Sequence, residues 1–422
     1  MDFVITFIRE VLGNPTVILG LVALIGLLVQ KAKGGDVLLG TVKVMLGYVI
    51  MSAGTGVVVS AIGPLTNLIR HGMGVEGVVP LYWPSFGPTM AKFGSEVALM
   101  FIVGFALNML LAKVTKYKYL ALTVHLQIFW CGFMTILLDA VGFSGAPLIL
   151  IGGVISGFYF WIATWISAHY LSRDNITDEH ANFVPSVAGI IIAGTIGKLF
   201  KKGSTSSEDV KLPSSLNWLK DNIVAMTVIM FVVNLIFALI AGVSYTQELA
   251  GSVPWLMFLL TASLEFGGAI AIILYGVRML LAELIPAFSG IAERVLPGSK
   301  LGLDYPTVYP YAPTAVMLGF LLHLLGSIVA TGVMAATGFA PLVIPGVQIN
   351  FFEGALVGVY ANARGGLKNV IISSFVVGFI LQFCVAFIFP HTGMLVDLNA
   401  AYEAIDYNTF GLIIAKILAI FR

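Results

Sequence analysis

Between Asp139 and Arg173 the chain reads DAVGFSGAPLILIGGVISGFYFWIATWISAHYLSR, with no ionised residue inside the two ends. A bilayer core about 30 Å thick needs roughly 20 apolar residues per helical crossing, so this run is long enough to span a membrane. Comparable runs lie on both sides. Val11 to Gln30 is uncharged and ends at the basic pair Lys31 and Lys33, and Asn222 to Gln247 is equally clean. Tyr305 to Phe352 carries only His323, but Gly338, Pro341, Pro345 and Gly346 interrupt it. That stretch is too long for one crossing. It calls for a span, a turn, and either a second span or a re-entrant segment, because irregular backbone exposed to lipid is not tolerated.

Composition agrees. Of 422 residues, 59% are hydrophobic and 10% charged, against about 25% charged in a soluble domain, so a water-facing surface could not be built around this core. A net charge of +1 leaves no electrostatic footprint for nucleic acid, and that class is set aside. Cys131 and Cys384 both lie in apolar runs, which gives neither a disulfide framework nor a metal-ligand spacing. Met1 to Arg9 has no basic region ahead of an apolar run, and no cleaved signal peptide is expected.

The spacing predicts an all-α polytopic membrane protein of about eleven crossings plus two re-entrant hairpins. The segments fall near 11–30, 40–69, 94–112, 119–140, 146–171, a hairpin at 180–200, 222–246, 253–284, 312–337, a hairpin at 345–363, 368–390 and 407–421. The one hydrophilic linker, Lys198 to Lys220, divides the chain near its middle. Its lysines place it in the cytoplasm under the positive-inside rule. Lys31, Lys33 and the Lys113, Lys116, Lys118 cluster, if also cytoplasmic, put the N-terminus outside. The halves echo one another: Gly40–Leu65 pairs with Gly276–Leu301, and Gly87-Pro88-Thr89 with Ala312-Pro313-Thr314, each triplet opening a long apolar helix. Forty-six glycines allow helices to approach closely.

An ionisable side chain at bilayer depth costs at least about 2.5 kcal/mol on insertion scales, so each needs a partner or a function. His125 stands in such a run with Gln127 close by. Two residues apart on a straight helix they point about 200° from each other, so both face one cavity only where the helix is broken or flanked on two sides. Asp304 and Glu353 bracket the long uncharged stretch beside helix-breaking residues, where freed backbone groups and a carboxylate suit a hydroxyl-rich ligand; capping a helix end in water is the alternative. Tyr82 and Trp83 precede the third span and could stack on a sugar face or anchor the helix at the interface. Asp178, Glu179, His180 and Asn182 lead to a helix starting near Pro185-Ser186, whose free N–H groups point ahead of it, so that Ser186 is a candidate substrate contact and an ordinary loop cap is the equal alternative. Arg278 and Glu283 read as a structural charge set. No nucleotide-binding loop, dinucleotide fingerprint or Ser/His/Asp set is present, and no cofactor or metal is expected.

Three segments carry a family resemblance: GTVKVMLGYVIMSAGTGVV, KLPSSLNWLKDNIV and, most specifically, GVRMLLAELIPAFSGIAERVLPGSKLGLDYPTVYPYAPTAVMLGF. The chain resembles the ascorbate-type IIC permease of the bacterial phosphotransferase system, over nearly its whole length. Trp83-Pro84 and Glu353 are closer to the related galactitol type. The resemblance implies a homodimer in the bacterial inner membrane, moving a small sugar acid or polyol inward by an elevator-like motion. Each protomer would have inverted halves: scaffolds at 1–80 and 221–300, core halves at 81–200 and 301–422, and a cytoplasmic linker at 201–220. It also implies that His125 and Asp304 contact substrate and that Glu353 falls at the second hairpin's contact position. Val184, Pro185 and Ser186 stand where ascorbate permeases have a histidine followed by polar residues, and Gln127 only loosely meets an expected glutamine. The phosphocysteine of such systems belongs to the IIB component. This chain is therefore expected to act as the permease alone, with IIB and IIA as partners and no catalytic residue of its own.

Overall fold

The computed structural model describes residues 15–74, 77–80, 82–200, 205–210, 222–294, 296–339 and 341–418. In chain order the elements are α1 (Pro15–Val29), α2 (Gly34–Met73), β1 (Val79–Pro80), α3 (Tyr82–Val114), β2 (Tyr119–Ala121), α4 (Val124–Ala140), α5 (Gly145–Arg173), β3 (Ala181–Asn182) and α6 (Val187–Ile196). After the linker come α7 (Asn222–Ala241), α8 (Val243–Ala250), α9 (Trp255–Arg294), β4 (Lys300–Leu303), α10 (Pro313–Thr337), α11 (Val347–Ile388), α12 (Met394–Asp397), β5 (Ala400–Ala401) and α13 (Ile405–Leu418).

The chain is a polytopic helical membrane protein. Among the described residues, six helices are long and apolar enough to cross a bilayer, or seven if the pair bent by 116° at Gly242 is one broken span. Other apolar segments are shorter. Helix α4 has 17 residues, α6 has 10 and α13 has 14, which at 1.5 Å per residue is less than the hydrocarbon thickness. These half-helices are where the sequence suggested crossings or hairpins at 119–140, 180–200 and 407–421.

Helices α2 and α9, 40 residues each, pack along one another. They approach closely because Gly54 has no side chain: a Cβ there would sit 2.9 Å from the Ile273 nitrogen. Helix α2 ends where Gly74 turns left-handed (φ 62°) and its N–H caps the carbonyls of Arg70 and His71. Glu283 of α9 pairs with Lys43 of α2 at 2.7 Å.

A second helical layer packs α3 on α5, where Gly104 faces Gly153 and Gly157. In the other half α10 packs on α11. Helix α11 is in fact two arms, 347–365 and 367–388, broken where Gly366 takes φ 66° and ψ −162°. The Asn369 amide donates to the Ala361 carbonyl at 2.8 Å. Residues eight apart on a continuous helix lie about 12 Å apart, so the chain folds back here. The segment expected as a hairpin at 345–363 is the first arm.

Two small parallel sheets join the halves. β4 lies between β2 and β3, with Ala121 opposite Gly302 and Asn182 opposite Leu303. β1 lies against β5, with Val79 opposite Ala400, and Val78 bridges to Val343. In each case an extended segment preceding a long helix of one half is held between two extended segments of the other. Backbone between half-helices has no water to bond at this depth, and pairing across the halves satisfies it. Helix α4 starts three residues after Ala121 and the first arm of α11 three residues after Ile344. By the same correspondence α13 matches α6. The triplets at 87–89 and 312–314 lie near the starts of the matching helices α3 and α10. The Gly40–Leu65 and Gly276–Leu301 pair does not correspond in this way, because the latter runs past the end of α9 into β4.

Further contacts tie the two halves together at one end of the molecule. Lys300 bonds Asp178, Arg364 bonds Asp174, and Ser207 donates its N–H to Asn362. Glu208 accepts the N–H groups of Thr314 and Ala315 at 3.1 and 3.0 Å. With the Lys118 ammonium donating to the Pro297 carbonyl, these contacts gather the C-terminal ends of α3 and α5, the end of the first arm of α11 and the N-terminus of α10. That end also carries Lys113, Lys116, Lys118, Arg173, Lys198 and Lys368. Helix α10 has no side-chain cap of its own, so the linker supplies one. Glu208→Ala is expected to cost about 1 kcal/mol of stability, as loss of a helix cap does. The check is a lower melting temperature in detergent with unchanged substrate affinity.

Candidate functional site

The register of β2 against β4 sets the site. Ala121 lies opposite Gly302, so the residues just beyond each strand emerge side by side. His125 Nε2 lies 3.3 Å from Asp304 Oδ2, and both side chains are about four-fifths buried. The other Asp304 oxygen accepts the Tyr305 N–H at 2.7 Å and caps the helical turn Tyr305–Tyr311. Asn182 of β3 fixes that turn from behind: its amide donates to the Asp304 carbonyl at 3.0 Å and to Thr307 Oγ1 at 2.8 Å. The Tyr360 hydroxyl donates to the Asn182 oxygen. Carboxylate and imidazole are thereby held on backbone that is itself tied down, the preorganisation a binding site needs.

His125 and Asp304 open on a partly enclosed cavity. One wall comes from the long helices: Tyr48 and Ser52 of α2 and Ile273 of α9. The opposite wall comes from the strand-joined part of the molecule. It presents His125, Leu126 and Phe129 of α4, Gln348, Ile349 and Phe352 of α11, the turn residues Asp304, Tyr305 and Pro306, and Glu403. Among the described lining residues there is no lysine or arginine, while two carboxylates are present.

Of the residues singled out in the sequence, His125 and Asp304 are brought together. Gln127 is fully buried and is not in the wall, as its angle from His125 on an unbroken helix requires. Its amide makes no hydrogen bond among the described residues. Glu353 also lies behind the wall. It is fully buried, its Oε2 accepts the Ile405 N–H at 3.3 Å, and its neighbour Phe352 faces the cavity instead. Ser186 is buried and shares a 2.7 Å hydrogen bond with the hydroxyl of Tyr305, a lining residue, so it supports the wall rather than forming it. Tyr82 and Trp83 begin α3, and their side chains lie outside the described residues.

Sequence reasoning missed Tyr48, Ser52, Gln348 and Glu403. It also missed how the segment Glu403–Asp406 serves two half-helix starts. Glu403 Oε2 accepts the Ile349 N–H at 3.2 Å, at the start of α11. Asp406 accepts the N–H groups of Val187 and Ala188, both at 2.8 Å, at the start of α6, and the Tyr159 hydroxyl at 2.6 Å. Carboxylates at helix N-termini satisfy orphan donors and oppose the positive end of the dipole. The available signal was two acids three apart between Tyr402 and Tyr407, directly before an apolar helix.

Comparison with known proteins agrees with this architecture. Residues 10–405 match the family model EIIC-GAT, described as PTS system sugar-specific permease component. A protein of Mycoplasma pneumoniae named "Ascorbate-specific PTS system EIIC component" is 28% identical over 443 residues, covering 91% of this chain and 66% of that protein. The chain thus spans just under two thirds of that relative's length.

Proposed function

We propose that this chain, which belongs to the family of PTS system sugar-specific permease components, binds its substrate between His125 and Asp304 and carries it inward across the bacterial cytoplasmic membrane. The substrate is a small polyhydroxylated molecule, a sugar acid or a polyol, and ascorbate is the leading candidate from the named relative. A separate IIB protein, served by IIA, phosphorylates it at the cytoplasmic face. The protein works as a homodimer.

The observation that carries this reading is the His125–Asp304 pair in the cavity wall. A hydroxyl group offers one donor and two acceptor positions, and a carboxylate beside an imidazole meets both needs. The cavity also borders two bodies: α2 and α9 on one side, the strand-joined helices on the other. Sliding one body past the other would carry the cavity from one face to the other without opening a continuous pore. The scaffold would comprise 1–80 and 221–300 and the core 81–200 and 301–422, with 201–220 linking them.

One observation favours a galactitol- or pentitol-type substrate as a second reading. Asp304 and Glu403 both line the cavity, and no basic side chain does among the described lining residues. An anion must approach two carboxylates there, whereas an uncharged polyol finds acceptors for its hydroxyls. Calorimetric titration of the purified protein with ascorbate, galactitol and pentitols separates the two readings. Reconstituted vesicles test the mechanism. Accumulation of unmodified substrate driven by an ion gradient, without IIB, would show an ion-coupled carrier instead.

A further inference from the structure

The two half-helices that enter the cavity present the same three positions to it. The second, third and sixth residues of α4 are His125, Leu126 and Phe129; those of α11 are Gln348, Ile349 and Phe352; all six line the cavity. This follows from the strand exchange, which starts both helices three residues beyond matching extended segments. Each half-helix also has a carboxylate at its start. Asp304 lies beside His125, and Glu403 is bonded to the N–H that follows Gln348.

We propose that Gln348 and Glu403 form a second recognition pair, which holds the end of the substrate opposite to the one held by His125 and Asp304. This rests on the substrate site of the preceding section and goes beyond it by making the site two-ended. The Gln348 amide makes no hydrogen bond among the described residues. It can donate to one hydroxyl oxygen and accept from another, as His125 and Asp304 do together. Phe129 and Phe352 supply apolar surface for the C–H faces between the two polar ends. The pairs differ in chemistry, imidazole against amide, so the two ends of a substrate are not interchangeable. A sugar acid or polyol meets this pattern when hydroxyls are clustered at both ends of its carbon skeleton.

The test uses the full-length protein with two probes, ascorbate and galactitol, and the analogue of each that lacks one terminal hydroxyl. For a probe that binds, removing that hydroxyl is expected to weaken wild-type binding tenfold or more. The penalty should vanish in the variants of one pair and persist in the other. Either Gln348→Ala and Glu403→Gln lose the discrimination together, or His125→Ala and Asp304→Asn do. Glutamine at 403 keeps an acceptor for the Ile349 N–H, and a wild-type melting curve confirms that the fold is retained. Equal loss of discrimination in all four variants would overturn the two-ended arrangement, as would wild-type affinity in both Gln348→Ala and Glu403→Gln. A wild-type protein that binds neither probe would instead overturn the substrate class on which the inference depends.

Discussion

Asp304→Ala is expected to abolish measurable substrate binding while leaving a folded protein. The carboxylate is the acceptor half of the pair with His125, and it stands at the cavity wall. A hydrogen bond to a charged acceptor contributes about 1.5–3 kcal/mol. Two substrate hydroxyls bound this way amount to about 3–6 kcal/mol, which is a loss of affinity from about a hundredfold to more than ten-thousandfold. The structural loss is smaller. Alanine removes the cap on Tyr305, worth about 1 kcal/mol. The Asn182 amide still holds the main chain through the carbonyl of residue 304, and β4 stays paired on both sides. Titration calorimetry and a melting curve on the same preparation separate the two effects. Unchanged affinity would remove Asp304 from the site; loss of the melting transition would show that its cap, not its charge, matters.

The largest effect on stability is expected from Gly358→Val. Helix α10 and the first arm of α11 cross with almost no side chain between them: Gly319 faces Gly354, and a Cβ on Gly358 would overlap the Ala315 carbonyl oxygen. The obstacle is backbone, so no rotamer change relieves it. Overpacking typically costs about 1–3 kcal/mol when side chains can adjust, and here helices must separate. Separation would shift Gln348, Phe352 and the Gly366 reversal together. The expected outcome is a protein that elutes as aggregate in detergent, or melts far below wild type. Gly332, where an added Cβ meets nothing within 4 Å, is the control: Gly332→Ala should elute and melt as wild type does. A monodisperse Gly358→Val protein with normal stability would mean that this crossing is not as close as described.

Composition alone established the solvent in which most of the chain lies, because a 10% charged sequence has nothing else to dissolve in. His125 and Asp304 were legible for a related reason: an ionisable group deep in an apolar run is costly enough to demand an explanation. Gln348 and Glu403 sent no such signal. Gln348 is uncharged, and Glu403 reads as a loop acid ahead of the last helix. Only the pairing of distant strands reveals that residues 348 and 403 stand beside the same cavity as residue 125. Glu353 illustrates the converse. Its place on the helix that enters the cavity was legible, but a helix turns 100° per residue, and a reading good to a few positions does not decide that Phe352, not Glu353, lines the wall. The repeat at Gly40–Leu65 and Gly276–Leu301 matched small residues across elements that do not correspond, since Gly-rich apolar helices resemble one another at many offsets.

The interleaved strands also bear on how the protein is made. β1 is synthesised early, yet its partners at Val343 and Ala400–Ala401 lie near the end of the chain. At about 5–20 residues per second, that backbone must wait on the order of tens of seconds on the ribosome before it can pair. The nascent first half is therefore an unfinished object in the bilayer, a natural client for membrane insertases. A ribosome stalled late in the message would leave behind a product that surveillance proteases can recognise by its open edge.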